Sequence, residues 1–162
     1  MIRSLEMEAG DLLHERGLRL ALAESCTGGL IGNRITDVPG SSEYFIGSIV
    51  AYAYEAKVVL LGVSWDTLNT RGAVSQETVL EMARGARKAL NTDIAVSVSG
   101  IAGPGGGTLD KPVGTTWIAL VAKDGEWAQE FHYKGNREQN KSSAADSALQ
   151  LLLDYLQGKL KQ

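Results

Sequence analysis

The sequence predicts a three-layer α/β/α sandwich built on a mixed, mainly parallel sheet of about five strands. Three observations carry that expectation. Short apolar runs with strand character alternate along the chain with longer stretches whose apolar residues recur at helical spacing. The last two strands are joined across 123–126, where Asp124-Gly125 marks a tight hairpin and hence an antiparallel pair. The 162 residues, 44% hydrophobic, suffice for one packed core and leave no room for a second full domain, so 1–162 is read as a single domain.

Taken in order, residues 2–16 place Ile2, Leu5, Ala9, Leu12 and Leu13 on one helical stripe that Gly17 ends. Leu18, Leu20 and Leu22 alternate with Arg19, Ala21 and Ala23 as a short strand. Ser25, Thr27, Gly28 and Gly29 then open a helix carrying Leu30, Ile31 and Ile35. A turn around Pro39-Gly40 precedes 44–53, apolar and β-branched enough for a strand buried on both faces. The pattern turns helical at Tyr54 and stops at Gly62. Ser64 and Ser75 read as helix caps, the second starting Gln76–Leu90 with Val79, Met82, Ala83, Ala86 and Leu90 inward. Strands follow at 94–99, 115–121 and 127–133. A closing helix carries Ala145, Ala148, Leu149, Leu152 and Leu156.

Composition narrows the function classes. Sixteen basic and nineteen acidic residues give a net charge of −3 with no basic run, which argues against nucleic acid or an anionic membrane as the main partner. One cysteine excludes an intrachain disulfide, and two histidines with that cysteine argue against a zinc cluster. No long apolar segment or signal-peptide pattern stands out, so the expected location is the cytoplasm.

Chemistry is expected at the end of the first strand. Ser25 sits where a side chain faces the crevice beyond the strand ends, and the N–H groups of the following helix start point toward whatever binds there. Such a turn can cradle an anion, hold a nucleophile beside an oxyanion hole, or merely cap a helix. The glycine-dense loop at 100–114 follows a strand and is a second candidate anion site, although it matches neither a Walker A loop nor a dinucleotide fingerprint. The last helix brings Arg137 and Lys141 toward an anion. His14, on a helix surface, and His132, in a strand between Phe131 and Tyr133, are not placed to serve Ser25, so the base must be something else. Lys57, one turn into its helix, can act as that base if burial lowers its pKa, and the hydroxyl of Tyr52, near a strand end, can relay or orient the proton.

Five blocks carry a family resemblance: Ala-Glu-Ser-Cys-Thr-Gly-Gly at 23–29, Tyr52 with Glu-Ala-Lys at 55–57, Gly-Ala-Val-Ser at 72–75, Ser-Gly-Ile-Ala-Gly-Pro at 99–104 and Lys-Pro-Val-Gly-Thr at 111–115. Together they resemble the CinA C-terminal domain family, which includes the nicotinamide-nucleotide amidases, and they span nearly the whole chain. The resemblance implies a three-layer α/β/α fold and hydrolysis of nicotinamide mononucleotide to nicotinate mononucleotide and ammonia, without metal or cofactor. It implies Ser25 as nucleophile with Tyr52 and Lys57 as activating partners. Substrate contacts are implied at Thr27, Gly28, Gly29, Ser99, Gly100, Gly103, Arg137 and Lys141. Glu24 is expected to position Lys57 or a water, and N–H groups at the Gly28-Gly29 helix start to hold the oxyanion. Tyr54 and Lys141 depart from the family pattern, where a small polar residue and an arginine are expected. The resemblance is to the stand-alone amidases, and with the apolar strand edges it implies a homodimer. The rival expectations are a nucleotide-binding or regulatory module without turnover and an amidase for another small amide.

Overall fold

In the computed structural model, which describes residues 2–161, helix α1 (Leu5–Arg16) is followed by β1 (Leu20–Glu24), α2 (Leu30–Thr36), a single 3₁₀ turn (Ser41–Glu43) and β2 (Phe45–Val50). Next come α3 (Tyr54–Leu61), α4 (Trp65–Arg71), α5 (Gln76–Leu90), β3 (Ile94–Gly100), β4 (Thr115–Ala122), β5 (Gly125–His132) and α6 (Arg137–Leu156). The strands form one sheet in the order β2-β1-β3-β4-β5. β1 runs parallel to β2 and β3, and β4 runs antiparallel to β3 and β5, so only β4 opposes the rest. This is the mixed α/β sandwich that the residue pattern predicts.

Alternation along the central strands sorts the core into two layers. Leu20 and Leu22 of β1 and Val96 and Val98 of β3 pack with Leu13 of α1, Ile31 and Ile35 of α2 and Leu149 and Leu152 of α6. Ala21, Ala23 and Ala95 face the other way, onto Leu61 of α3, Leu68 of α4 and Val79, Met82 and Ala86 of α5. The small residues on that second face let α5 lie close to the sheet. α3 in turn lies close to α5, because a Cβ at Gly85 would sit 1.8 Å from the Leu61 carbonyl oxygen. That contact fixes the helix that carries Lys57.

Several expectations change in detail. Ser4 caps α1 by accepting from Met7 N–H, so Ile2 lies before the helix and is exposed rather than on its apolar stripe. β2 is not buried on both faces: it is an edge strand with half-buried residues, and an apolar sequence cannot by itself tell an edge from a centre. Ser64 does cap a helix, the short α4, which the apolar periodicity does not reveal. The β4–β5 turn lies at Lys123-Asp124, since Ala122 pairs with Gly125. No helix among the described residues is long and apolar enough to cross a membrane.

Candidate active site

Ser25 is the first residue beyond β1, and the sheet ladder still holds it: its N–H donates to the Val98 carbonyl at 3.1 Å. Its side chain turns to the α3 face. There Lys57, 1% exposed, places Nζ 2.9 Å from Ser25 Oγ. The same Nζ donates to the carbonyls of Ala51 at 3.0 Å and Tyr52 at 2.8 Å. Burial lowers the Lys57 pKa from its ordinary 10.5 to about 8, with the nearby Cys26 acting weakly in the opposite sense. The two carbonyls also orient the amine. When Lys57 is neutral, its two remaining N–H groups stay on Ala51 and Tyr52, and its lone pair is left facing the Ser25 hydroxyl.

Glu24 contacts neither Lys57 nor the crevice, because adjacent residues leaving a strand point to opposite faces. Its carboxylate, fully buried on the α2 side, accepts from Thr27 Oγ1 at 2.7 Å, Ile31 N–H at 2.9 Å, Gly32 N–H at 3.1 Å and Ser48 Oγ at 2.7 Å. This corrects the expected oxyanion donors as well. The helix begins at Leu30 rather than Gly28, and the N–H groups of Ile31 and Gly32 are spent on Glu24. Leu30 N–H goes to the Thr27 carbonyl and Gly28 N–H to the Ser25 carbonyl. Among the described residues, the turn N–H groups left without a hydrogen-bond acceptor outside their own residue are those of Cys26, Thr27 and Gly29. Gly28 (φ 60°) and Gly29 (φ 102°) supply the left-handed backbone that this arrangement needs.

Thr27 is 2% exposed and its hydroxyl is committed to Glu24, so its side chain is part of the scaffold and not a substrate contact. Cys26 is buried in the α1/α2/α6 layer, and burial pushes its thiol up to about 11. Tyr52 touches Lys57 only through its carbonyl. Its side chain is 62% exposed and its hydroxyl accepts from Arg137 Nη2 at 3.2 Å, well placed for the crevice mouth and not for the Ser25–Lys57 pair. Ser99 is buried one residue beyond Val98, whose carbonyl holds Ser25. Gly100 packs against Thr116, and the Gly103 carbonyl accepts from Arg137 Nη1 at 2.7 Å.

Arg137 thus bridges Tyr52 and the glycine loop, and it forms no ion pair among the described residues. With Leu30, Glu138, Lys141 and Ser142 it lines a pocket of about 480 Å³ between α2 and the start of α6. Val50, 45% exposed, lies beside Gly29 and adds apolar surface next to the turn. The glycine loop is held at both ends. Asn140 donates to the Ala102 carbonyl at 3.0 Å, and Lys111 Nζ donates to the Arg71 carbonyl at 2.6 Å. Asn140 is absent from the sequence-derived candidates, although a signal exists: it is a polar residue on the buried Asn140, Ala144, Ala148 stripe. Ser48, which holds Glu24 from β2, leaves no such mark. His14 pairs with Glu43 and His132 with Glu130, both outside the crevice.

A buried serine–lysine pair at the carboxyl ends of the parallel strands, with Arg137 and Lys141 on a pocket between α2 and α6, defines the class of α/β domain to which the chain belongs. The family model of the CinA C-terminal domain matches residues 2–156, and the chain belongs to that family. It is 50% identical over 159 residues to a CinA-like protein of Chlorobium limicola, covering 95% of this chain and 37% of that one. A CinA-like protein of Geobacter metallireducens is 48% identical over 157 residues, covering 97% and 37%. The chain therefore spans less than two-fifths of these curated relatives. Among solved structures, the competence/damage inducible protein CihA of Agrobacterium tumefaciens superposes with a TM-score of 0.89 at 38% identity, covering 97% of this chain and 99% of that chain. A CinA superfamily protein of Klebsiella pneumoniae gives 0.91 at 32% identity, covering 95% and 96%.

Proposed function

We propose that this domain is a serine–lysine amidase that hydrolyses the carboxamide of nicotinamide mononucleotide to nicotinate mononucleotide and ammonia, in pyridine-nucleotide recycling. The observation that carries the reading is the buried Lys57 amine, 2.9 Å from the Ser25 hydroxyl and oriented by two carbonyls. A fully buried lysine without a carboxylate partner is costly and is retained where a base is needed near neutral pH. The substrate class is supported by Arg137 and Lys141, which line the pocket and suit a phosphate, and by the exposed Tyr52, bonded to Arg137, and Val50, beside Gly29, which suit a flat heterocycle.

In the mechanism, Ser25 Oγ attacks the carboxamide carbon as Lys57 takes its proton. The oxygen that becomes negative accepts from the turn N–H groups of Cys26, Thr27 and Gly29. Lys57, now charged, gives a proton to the departing nitrogen and ammonia leaves. Water then enters, loses a proton to the neutral lysine and attacks the acyl-enzyme. The products are the carboxylate and the restored Ser25 hydroxyl, and no metal or cofactor takes part. The expected state is a cytoplasmic homodimer, which ultracentrifugation of the purified chain tests. The decisive assay is ammonia release from nicotinamide mononucleotide and a panel of small amides, by the wild type and by Ser25→Ala. Release from another amide alone replaces the substrate, and no release from any favours the binding module.

A further inference from the structure

We propose that Glu24 is the positioning residue of this site: its carboxylate sets the Ser25 hydroxyl against the Lys57 amine. By occupying the first amides of α2, it also leaves the oxyanion to the N–H groups of the 25–29 turn. The proposal rests on the acyl-transfer reading of Ser25 and Lys57.

The four hydrogen bonds of this carboxylate reach three separate segments: Thr27 in the turn, Ile31 and Gly32 in α2, and Ser48 in β2. The main chain of Glu24 extends the tie, since its carbonyl accepts from Ala51 N–H at 2.9 Å. Ala51 lies three residues beyond Ser48, and its carbonyl is one of the two acceptors that orient Lys57. One residue on the far face of the sheet therefore holds both members of the reactive pair, the serine through the turn and the lysine through the end of β2. The fit is tight. A Cβ at Gly32 would lie 3.4 Å from Glu24 Oε2 and 3.3 Å from Ser48 Cβ, so the first turn of α2 sits directly on the carboxylate.

The chemistry favours glutamate itself. All four partners donate, none carries a charge, and an ionised carboxylate is the side chain that offers two acceptor oxygens and no donor. Glutamine would turn an NH₂ group toward two of those donors. A base and a nucleophile misplaced by about 1 Å lose about a hundredfold in rate, so a residue that fixes their separation acts on chemistry without touching substrate.

The test compares the full chain with Glu24→Gln, Thr27→Val and Ser48→Ala, each well below its melting temperature. One readout is the rate at which a sulfonyl fluoride modifies Ser25 between pH 6 and 10, followed by intact mass. The other is the titration of Lys57 followed by the 13Cε resonance of labelled lysine, assigned with Lys57→Met. Glu24→Gln is expected to slow modification by about a hundredfold and move the Lys57 midpoint toward that of an ordinary lysine; the single-donor variants are expected to slow it by about three- to tenfold. Reaction within twofold of wild type with an unmoved midpoint in all variants, even with lowered melting temperatures, makes Glu24 a purely structural staple and overturns the proposal. If Glu24→Gln fails to fold, Thr27→Val and Ser48→Ala decide by the same criteria. If the fluoride cannot reach Ser25, the Lys57 titration decides. Wild-type protein that behaves as expected here yet leaves nicotinamide mononucleotide intact sinks the substrate assignment and not this one.

Discussion

Glu24 and Lys57 are both buried ionisable groups at the same end of the sheet, on opposite faces, and among the described residues neither has a charged partner in hydrogen-bond contact. Glu24 is met by four neutral donors, two of them helix amides. Lys57 is met by three neutral acceptors, two carbonyls and one hydroxyl. Both groups meet hydroxyls, and the difference lies in how strong a base each buried group can become. Every partner of Glu24 donates to it, so the carboxylate serves as a tether. The third partner of Lys57 can itself give up a proton, so its hydrogen bond can reverse direction, and the reversal is the first step of nucleophilic attack. Thr27 and Ser48 also bring hydroxyls to Glu24, but a carboxylate is far too weak a base to take their protons, whereas a neutral amine can take that of Ser25.

The sharpest way to break this contrast is to remove the reversible partner. Ser25→Ala is expected to lower kcat for ammonia release by about a thousandfold or more with the fold retained, and Lys57→Ala to do the same. A residual rate above a tenth of wild type in either variant would remove it from the mechanism. With Lys57 at about 8, roughly one molecule in ten carries the neutral base at pH 7, so kcat/KM should climb through pH 8 and then level off. A profile flat from pH 6 to 9 contradicts a lysine base.

The same group makes a stability prediction of known sign. The folded pKa of about 8 lies below the ordinary 10.5 expected for the unfolded chain. Between those values the unfolded state binds more protons, so stability contributed by Lys57 is complete above about 10.5 and is lost as pH falls through 8. The full difference is about 3 kcal/mol at most. Urea unfolding at pH 7.5 and pH 10 should show the wild type gaining stability relative to Lys57→Met, in which the Lys57 contribution is absent and that of Cys26, of opposite sign, remains. Equal pH slopes for the two proteins would mean that the amine is not desolvated.

Binding should be separable from chemistry on the other side of the crevice. Arg137 donates to Tyr52 and the Gly103 carbonyl and has no ion pair among the described residues, which leaves its charge available to an anion. Arg137→Ala is expected to raise KM for the mononucleotide about ten- to fiftyfold with kcat within a few-fold, and to leave the use of free nicotinamide, which lacks the phosphate and is expected to be a poor substrate, unchanged. Equal losses for both amides would place Arg137 in the chemistry instead.

How far the residues reveal this arrangement depends on the kind of signal. Periodicity marks α1, α5, α6 and the five strands, because each buries an apolar stripe or face. Ser25 and Lys57 are legible as a strand-end serine and a lysine one turn into the next helix, and family blocks reinforce both. What stays hidden depends on tertiary placement. The edge position of β2 follows from strand order, the four ties of Glu24 converge from residues up to Ser48, and Tyr52 is carried to Arg137, 85 positions away, by the docking of α6. No local pattern encodes those meetings. Asn140 is the intermediate case, visible only as a polar residue on a stripe otherwise made of alanine.

The smallest effect is expected next to the nucleophile. A thiol is intrinsically a better nucleophile than a hydroxyl, and Cys26 adjoins Ser25, so the assignment turns on which side chain faces the base. Cys26 lies 8% exposed among Ile31, Val98 and the α6 leucines, on the face opposite Lys57 Nζ. Burial holds its thiol at about 11, so almost none is thiolate at neutral pH. In the proposed mechanism it contributes its backbone N–H, which substitution leaves in place. Cys26→Ala should therefore retain ammonia release within about threefold while losing about 1 kcal/mol of stability to the small void left by the sulfur. A thiol alkylator applied to the native wild type should likewise leave most activity intact. Loss of activity in Cys26→Ala, together with activity retained in Ser25→Ala, would transfer the nucleophile to the cysteine and require the turn to open toward α3 before reaction.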